Sequence, residues 1–422
     1  MKNTTLKAML FTAFVIGSTL TTLAQRWPQV GSGFGTTPTP RSTYFSPEIA
    51  YNPSTDELYT AFVNPNANGN ELVVLKTVIV QGRRHPITQW QMVGTTQYPI
   101  DFTELSLAVQ TATNKPYVAF VNEKTHKYIV HRFDGVSWQD VGTIPEYATM
   151  NCPPTIIFSP QNELYIAFIE STNSNNVTVK KFDGTLWNTA GKTIGNATNV
   201  QPGFPGGYFT QHSCSLAFNP STALLYIAYV DASNMLSLKF FSANGVWESA
   251  GADISVNQQL TKAAAISSHA LAFNPKTNMA YVSFVNNLGF TKVVNQRYTK
   301  SRPGLGTVIP SILYLANVLS DSIKIGGVTT LAFNPLTGEP YLAGWEAGGG
   351  VFEVQKYTGT TWQFLGYNDC SGLNNHPPSI GPSCGYNNSY QTPNITFNTN
   401  TNKAYLAYAN ELGPWYEVRR EP

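Results

Sequence analysis

Apolar and polar positions follow one motif that recurs seven times along the chain. Two short runs of alternating apolar residues flank a polar turn rich in Asn, Pro and Thr. The clearest copies are SLAFNPSTALLYIAYVD (215–231), ALAFNPKTNMAYVSFVN (270–286) and TLAFNPLTGEPYLAGWE (330–346). The others are EIAYNPSTDELYTAFVN (48–64), SLAVQTATNKPYVAFVN (106–122), TIIFSPQNELYIAFIE (155–170) and NITFNTNTNKAYLAYAN (394–410). Period-two alternation on both sides of a short turn predicts a β-hairpin in each copy. Two residues after each Tyr stands Ala or Ser: Ala61, Ala119, Ala167, Ala228, Ser283, Ala343 and Ala407. A small side chain fixed at that place predicts close packing of one sheet on the next.

A third alternating run follows each hairpin, as in VTVKKF (177–182) and LSLKFF (236–241). Tight turns come next: Asp134-Gly135, Asp183-Gly184, Asn244-Gly245 and Thr358-Gly359. Such dipeptides accept the positive φ angles of two-residue hairpins. The unit then ends in a strand led by Trp, as in WQMVG, WQDVG, WNTAG, WESAG and WQFLG. In the fifth copy LGTVI (305–309) takes that place. Four antiparallel strands in each of seven units of roughly 50–65 residues predict an all-β, seven-bladed β-propeller. The seventh unit carries a third run, YEVRRE (416–421), and the Trp pattern it lacks is present in RWPQVG (26–31). The expectation is a ring closed by this N-terminal strand joining the last blade, which removes exposed sheet edges.

The first residues have a different pattern. Lys2 and Lys7 precede the apolar stretch 8–20, and Thr22 and Ala24 are small residues at the −3 and −1 positions of a cleavage site. This predicts a signal peptide over 1–24, a single propeller domain over 25–422, and a protein that is secreted or at the cell surface. The apolar stretch is too short for a membrane span. Charged residues make up 12% of the chain and the net charge is +2, with no basic stripe for nucleic acid. Four cysteines in an exported chain point to disulfides. Cys370 with Cys384 lie in one loop, and Cys152 and Cys214 each precede the first strand of a blade. No spacing argues for a metal, and no cofactor is expected.

The phrases FDGVSWQDVG (133–142) and PYVAF (116–120) resemble the short repeats of secreted bacterial β-propeller proteins, and more loosely those of tectonin-type propeller lectins. As a style of repeat the resemblance covers the whole mature chain, and it implies a propeller, a scaffold that hosts binding, catalysis and scaffolding alike.

Strand order places the second-to-third and fourth-to-first connections on one face, and these hold most of the length variation. Segments 191–213 and 366–393 are examples. Long loops on one rim of a rigid scaffold are where binding is usually carried. A polar residue recurs five positions after each Tyr, where the second strand enters that face, and among these are Glu170, Asp231 and Glu346. Turn capping by Asn and Asp accounts for such a ring. Glu170 and Asp231, with His212 and His269 nearby, form a cluster of carboxylates and imidazoles. Tyr208 and Tyr386 offer aromatic planes for a sugar, and the alternative role for them is to pin the loops. Trp90, Trp138, Trp187, Trp247 and Trp362 share one repeat position, which packing between blades explains. No Asp-box, nucleophile elbow, phosphate loop or dinucleotide fingerprint is present. The chain reads as a monomeric, exported ligand-binding protein rather than an enzyme, with an extracellular glycan or protein surface as partner. The alternatives are a polysaccharide-acting lyase or hydrolase, and a structural part of a surface assembly.

Overall fold

The structure is a computed structural model. It describes residues 27–33, 46–66, 69–83, 85–94, 105–122, 124–148, 152–171, 175–192, 194–197, 214–232, 235–250, 254–255, 269–285, 291–298, 310–314, 325–346, 352–369, 379–382, 393–409 and 416–422. Strands are the only long regular elements among them.

The hairpins fall into separate sheets, numbered here in chain order. Sheet 1 runs Glu48–Asn52, Glu57–Asn66, Gly69–Gln81, Pro86–Met92, and sheet 2 runs Ser106–Gln110, Lys115–Asn122, Lys127–Phe133, Trp138–Asp140. Sheet 3 is Thr155–Phe158, Leu164–Glu170, Asn176–Phe182, Trp187–Thr189, and sheet 4 is Ser215–Phe218, Leu225–Val230, Met235–Phe241, Trp247–Ser249. Sheet 5 is His269–Phe273, Ala280–Val285, Thr291–Tyr298, Pro310–Tyr314, and sheet 6 is Ile325–Phe333, Pro340–Glu346, Phe352–Tyr357, Trp362–Asp369. Sheet 7 has Asn394–Asn398, Lys403–Ala409 and Tyr416–Arg420. The first strands of successive sheets are neighbours, and that of sheet 7 neighbours that of sheet 1. The chain is therefore a β-propeller with its first strands around a central axis.

Three expectations are corrected. The seven-bladed propeller expected from the repeats is not what is built: complete four-stranded blades number six. The last sheet has three strands. Sheets 3, 4 and 6 each carry one additional strand, and that of sheet 6, Ser379–Pro382, pairs in parallel. The N-terminal segment, in turn, is not a fourth strand but a single bridge, Gln29↔Arg419. Pro28 beside it has no N–H to extend a ladder. The outer strand of sheet 5 is Pro310–Tyr314, and residues 305–309, expected in that place, lie outside the described residues.

The core lies between sheets. One apolar cluster joins sheets 1 and 2, another sheets 2 and 3, and so on around the ring to a cluster of Ile49, Leu58, Tyr405, Ala407 and Val418 between sheets 7 and 1. In five of the hairpins the Tyr of the second strand packs edge-on against a first-strand Phe of the next sheet. Centroids are 4.9 Å apart for Tyr117–Phe158, 5.5 Å for Tyr165–Phe218 and 4.9 Å for Tyr226–Phe273. Such edge contacts add about 0.5–1.5 kcal/mol each beyond the area they bury. The recurrent small residues sit one step further along, and Ala61, Ala119, Ala167, Ala228, Ser283, Ala343 and Ala407 are all 0% exposed. A larger side chain there would push two sheets apart.

The Asn of the turn explains the rest of the motif. Asn274 Oδ1 accepts from the backbone N–H groups of Lys276 and Thr277, at 2.8 and 3.2 Å, holding its own turn. Its Nδ2 donates across the junction to the Gly338 carbonyl at 2.9 Å. Asn219 donates to the Asn278 carbonyl, Asn334 to the Asn402 carbonyl, and Asn398 to Asp56 Oδ1. Each receiving residue has positive φ, which brings its acceptor within reach of the neighbouring sheet.

Candidate functional site at the channel mouth

Side chains on the first strands alternate between the intersheet core and the axis. At the strand ends facing the long-loop side lie Glu48, Ser106, Thr155, Ser215, Ala270, Thr330 and Asn394, opposite the small residues of the second strands. All seven are partly accessible, whereas the following Ile49, Leu107, Ile156, Leu216, Leu271, Leu331 and Ile395 are buried. One step deeper the ring is mostly small and apolar, with Ala50, Ala108, Ile157, Ala217, Ala272 and Ala332, and Thr396 is its polar member. The mouth of the channel is thus a polar tier above an apolar one.

The tier is tied together across junctions. Ser106 Oγ accepts from the Ile156 N–H at 3.1 Å, and Ser215 Oγ from the Leu271 N–H at 3.0 Å. Thr155 Oγ1 donates to the Cys214 carbonyl at 2.7 Å. Asn394 of sheet 7 hydrogen-bonds the Glu48 carboxyl of sheet 1. Burial pushes that carboxyl up to about 8, and the bond from Asn394 pulls it only part of the way back. At neutral pH Glu48 is a carboxylic acid, able to donate one hydrogen bond and accept others. The tier as a whole presents hydroxyls, an amide and an uncharged acid.

The residues singled out from sequence are placed as follows. Glu170 accepts a hydrogen bond from Thr178 Oγ1, and its backbone bridges to Ala148. Asp231 Oδ2 accepts from Ser237 Oγ at 3.4 Å, and its backbone bridges to Ala197. Both carboxylates engage the third strand of their own sheet. His269 is buried and its Nε2 lies 3.0 Å from the Ala228 carbonyl, so that nitrogen carries the proton. Glu346 ends a second strand, paired with Ile325. His212, Tyr208, Tyr386, Cys370 and Cys384 lie outside the described residues. Cys152 and Cys214 share one buried cluster between sheets 3 and 4 as two thiols, so the bridge expected there is corrected. Among the described residues no three His, Cys, Asp or Glu side chains gather into a metal cluster. No helix among them is long and apolar enough to cross a membrane.

Sequence reasoning passed over Glu48. Its signal was a single departure in one repeat column, where the other copies carry Ser, Thr, Ala or Asn.

No family model matches the chain, and no curated protein matches it. Solved structures of similar arrangement include the fucose-specific lectin of Aleuria aurantia, at 12% identity over 80% of this chain and 96% of that one, with a TM-score of 0.45. The α-L-arabinofuranosidase of Fusarium graminearum is similar at 10% identity over 93% and 96% of the two chains, TM-score 0.48. The α-L-arabinanase of Penicillium chrysogenum is similar at 10% over 93% and 97%, TM-score 0.45.

Proposed function

We propose that the protein binds a neutral, polyhydroxylated ligand, an extracellular glycan, at the channel mouth on the long-loop face. The observation that carries this reading is the polar tier of Glu48, Ser106, Thr155, Ser215, Thr330 and Asn394. Neutral donors and acceptors above a small apolar floor match the hydroxyls and CH patches of a sugar better than a charged ligand. An uncharged acid avoids the desolvation cost that a carboxylate would add on ligand entry. Glycoside hydrolysis in its usual form needs two carboxylates flanking the scissile bond. The tier supplies one, which favours binding over a hydrolase. In this reading residues 25–422 form the exported domain after loss of 1–24, acting as a monomer, with the loops around Tyr208 and Tyr386 as the rim of the site.

A glycan array probed with residues 25–422 tests the proposal, followed by titration calorimetry on any hit with Glu48→Gln and Thr330→Val. Binding that weakens at least several-fold in Thr330→Val supports the site. Binding unchanged by both variants places the ligand elsewhere, and an array without hits favours the assembly role.

A further inference from the structure

Connections from a fourth strand to the next first strand cross the long-loop face in a shared way. Between sheets 2 and 3, Tyr147 bridges to Lys127 of sheet 2 and Ala148 to Glu170 of sheet 3. Between sheets 3 and 4, Asn196 pairs with Asn176 and Ala197 bridges to Asp231. In both connections the Ala is buried and the residue before it is exposed. After sheet 4 the matching residue is Ser255, opposite Met235. Of these three positions only 147 carries an aromatic ring, and Tyr147 is 47% exposed. Asn196 and Ser255 close their connections without a ring, so closure does not require one here.

The ring is fixed from both sheets. Lys127 Nζ lies 3.4 Å from its centroid and donates to the Pro145 carbonyl. The Tyr147 carbonyl accepts from the Ser171 N–H at 3.1 Å, and the Ala148 N–H donates to the His126 carbonyl at 2.9 Å. One residue earlier, Glu146 pairs with the buried Lys180 of sheet 3 at 2.6 Å. An exposed aromatic side chain held in this way has little freedom left to lose when a ligand arrives.

Strand register relates the ring to the channel mouth. Glu170 pairs with Asn176 on one flank, so the bridge to Ala148 is on its other flank. On that flank Thr155 of the polar tier pairs with Ala167, three residues back along the same strand. Ala148 thus continues the line of the first strand of sheet 3, roughly 10 Å beyond Thr155.

We propose that Tyr147 is the stacking platform for a further sugar residue, so that the ligand is an oligosaccharide running from the polar tier out over the junction of sheets 2 and 3. This rests on the glycan reading of the mouth and narrows it, because one pyranose seated in the tier does not reach the ring. The chemistry of the platform also selects. With an ammonium already on one face, the ring disfavours a cationic ligand on the other. An uncharged CH face packs there by dispersion, and the exposed Asn196 amide on the adjacent connection supplies a donor and an acceptor for hydroxyls.

Calorimetric titration of residues 25–422 with neutral gluco-, xylo-, arabino- and manno-oligosaccharides, from monosaccharide to hexasaccharide, tests this. Affinity should rise with chain length in the parent protein. Tyr147→Ala should weaken the hexasaccharide about fivefold or more while leaving the monosaccharide unchanged, and Tyr147→Phe, which keeps the ring, should bind like the parent. The bonds that hold this connection to Ser171 and His126 are main-chain, so the melting temperature of Tyr147→Ala should stay within a few degrees. Hexasaccharide binding that Thr330→Val weakens and Tyr147→Ala does not overturns the platform and leaves the glycan reading standing. Equal weakening at every chain length in Tyr147→Ala also overturns it. Absence of binding to every probe overturns both.

Discussion

The indole nitrogen of Trp90 donates to the Val30 carbonyl at 2.8 Å across 60 residues of sequence. Trp138, Trp187 and Trp247 latch to the preceding sheet in the same way, through the Val93, Val141 and Ala190 carbonyls, and here the N-terminal segment stands in the place of a preceding sheet. The Val30 N–H donates to the Val418 carbonyl at 2.8 Å, and the Arg420 N–H to the Pro28 carbonyl at 3.0 Å. Trp27 is 1% exposed in the cluster between sheets 6 and 7. One short segment thus completes the packing of sheet 7 and latches sheet 1.

Removal of residues 25–31 should therefore destabilise the protein well beyond an ordinary loop truncation. Loss of buried Trp27 alone costs about 3–5 kcal/mol by analogy with large-to-small core changes. Thermal melts of the deletion and of residues 25–422 measure it, and matching midpoints would refute the role assigned to Val30.

Glu48 makes stability depend on pH in a direction opposite to that of most carboxylates. Its folded-state pKa, about 8, lies above the ordinary carboxylate value of 4.5. The folded protein holds a proton that the unfolded chain releases, so its contribution is full below 4.5 and is lost as pH rises to 8. The slope is at most about 1.4 kcal/mol per pH unit in that window. Glu48→Gln should flatten it and melt higher than the parent protein at pH 8. Urea denaturation at pH 5 and pH 8 checks this, and parallel pH profiles for the two proteins would contradict it.

Asn274 separates its two jobs by substitution. Asn274→Asp keeps the acceptor for Lys276 and Thr277 but loses the donor to Gly338, while Asn274→Ala loses both. Since the side chain is buried, the alanine variant should cost about 2–3 kcal/mol and the aspartate at least 1 kcal/mol. Chemical denaturation ranks them; an aspartate variant as stable as the parent would remove the intersheet bond from the account.

Between sheets 6 and 7 lies a buried polar triad. Tyr408 OH donates to Glu417 Oε2 at 2.7 Å, and Arg419 Nε donates to the same oxygen at 2.9 Å. All three residues are buried. Arg419→Met strands the Glu417 charge and should cost about 3–5 kcal/mol, and adding Glu417→Leu should recover much of the loss. A double-mutant cycle in denaturant decides; no recovery in the double variant would mean that packing shape, not charge, governs the site.

Much of the fold was legible because its devices are periodic. Tyr, Ala, Asn and Trp recur at fixed offsets, and each offset corresponds to a contact with the neighbouring sheet. What escaped the sequence was not periodic. The outer strand of sheet 5 has neither Trp nor an Asp-Gly turn, so its position at 310–314 follows only from pairing with Thr291–Tyr298. Glu48 escaped because its chemistry arises from the ring that surrounds it, not from its sequence neighbours. Glu170 and Asp231 attracted notice as carboxylates near one face, yet their bonds to Thr178 and Ser237 depend on strand pairing that spacing alone does not reveal.

The Asn bonds at the turn face run the same way, from sheets 4, 5, 6 and 7 each to the next and on from Asn52 to Asn114, with Asn398 passing the sequence back to Asp56, while sheet 3 has Ser159 in that place, its hydroxyl accepting within its own turn. Mechanically this is a linkage of coupled joints, in which one joint changes its angle only if its neighbours share the displacement. Small distortions, such as a ligand wedged into the channel mouth, cannot be absorbed where they arise. They spread around the circumference and collect at the most compliant joint, which lets events on the axis be felt at a rim that never touches the ligand.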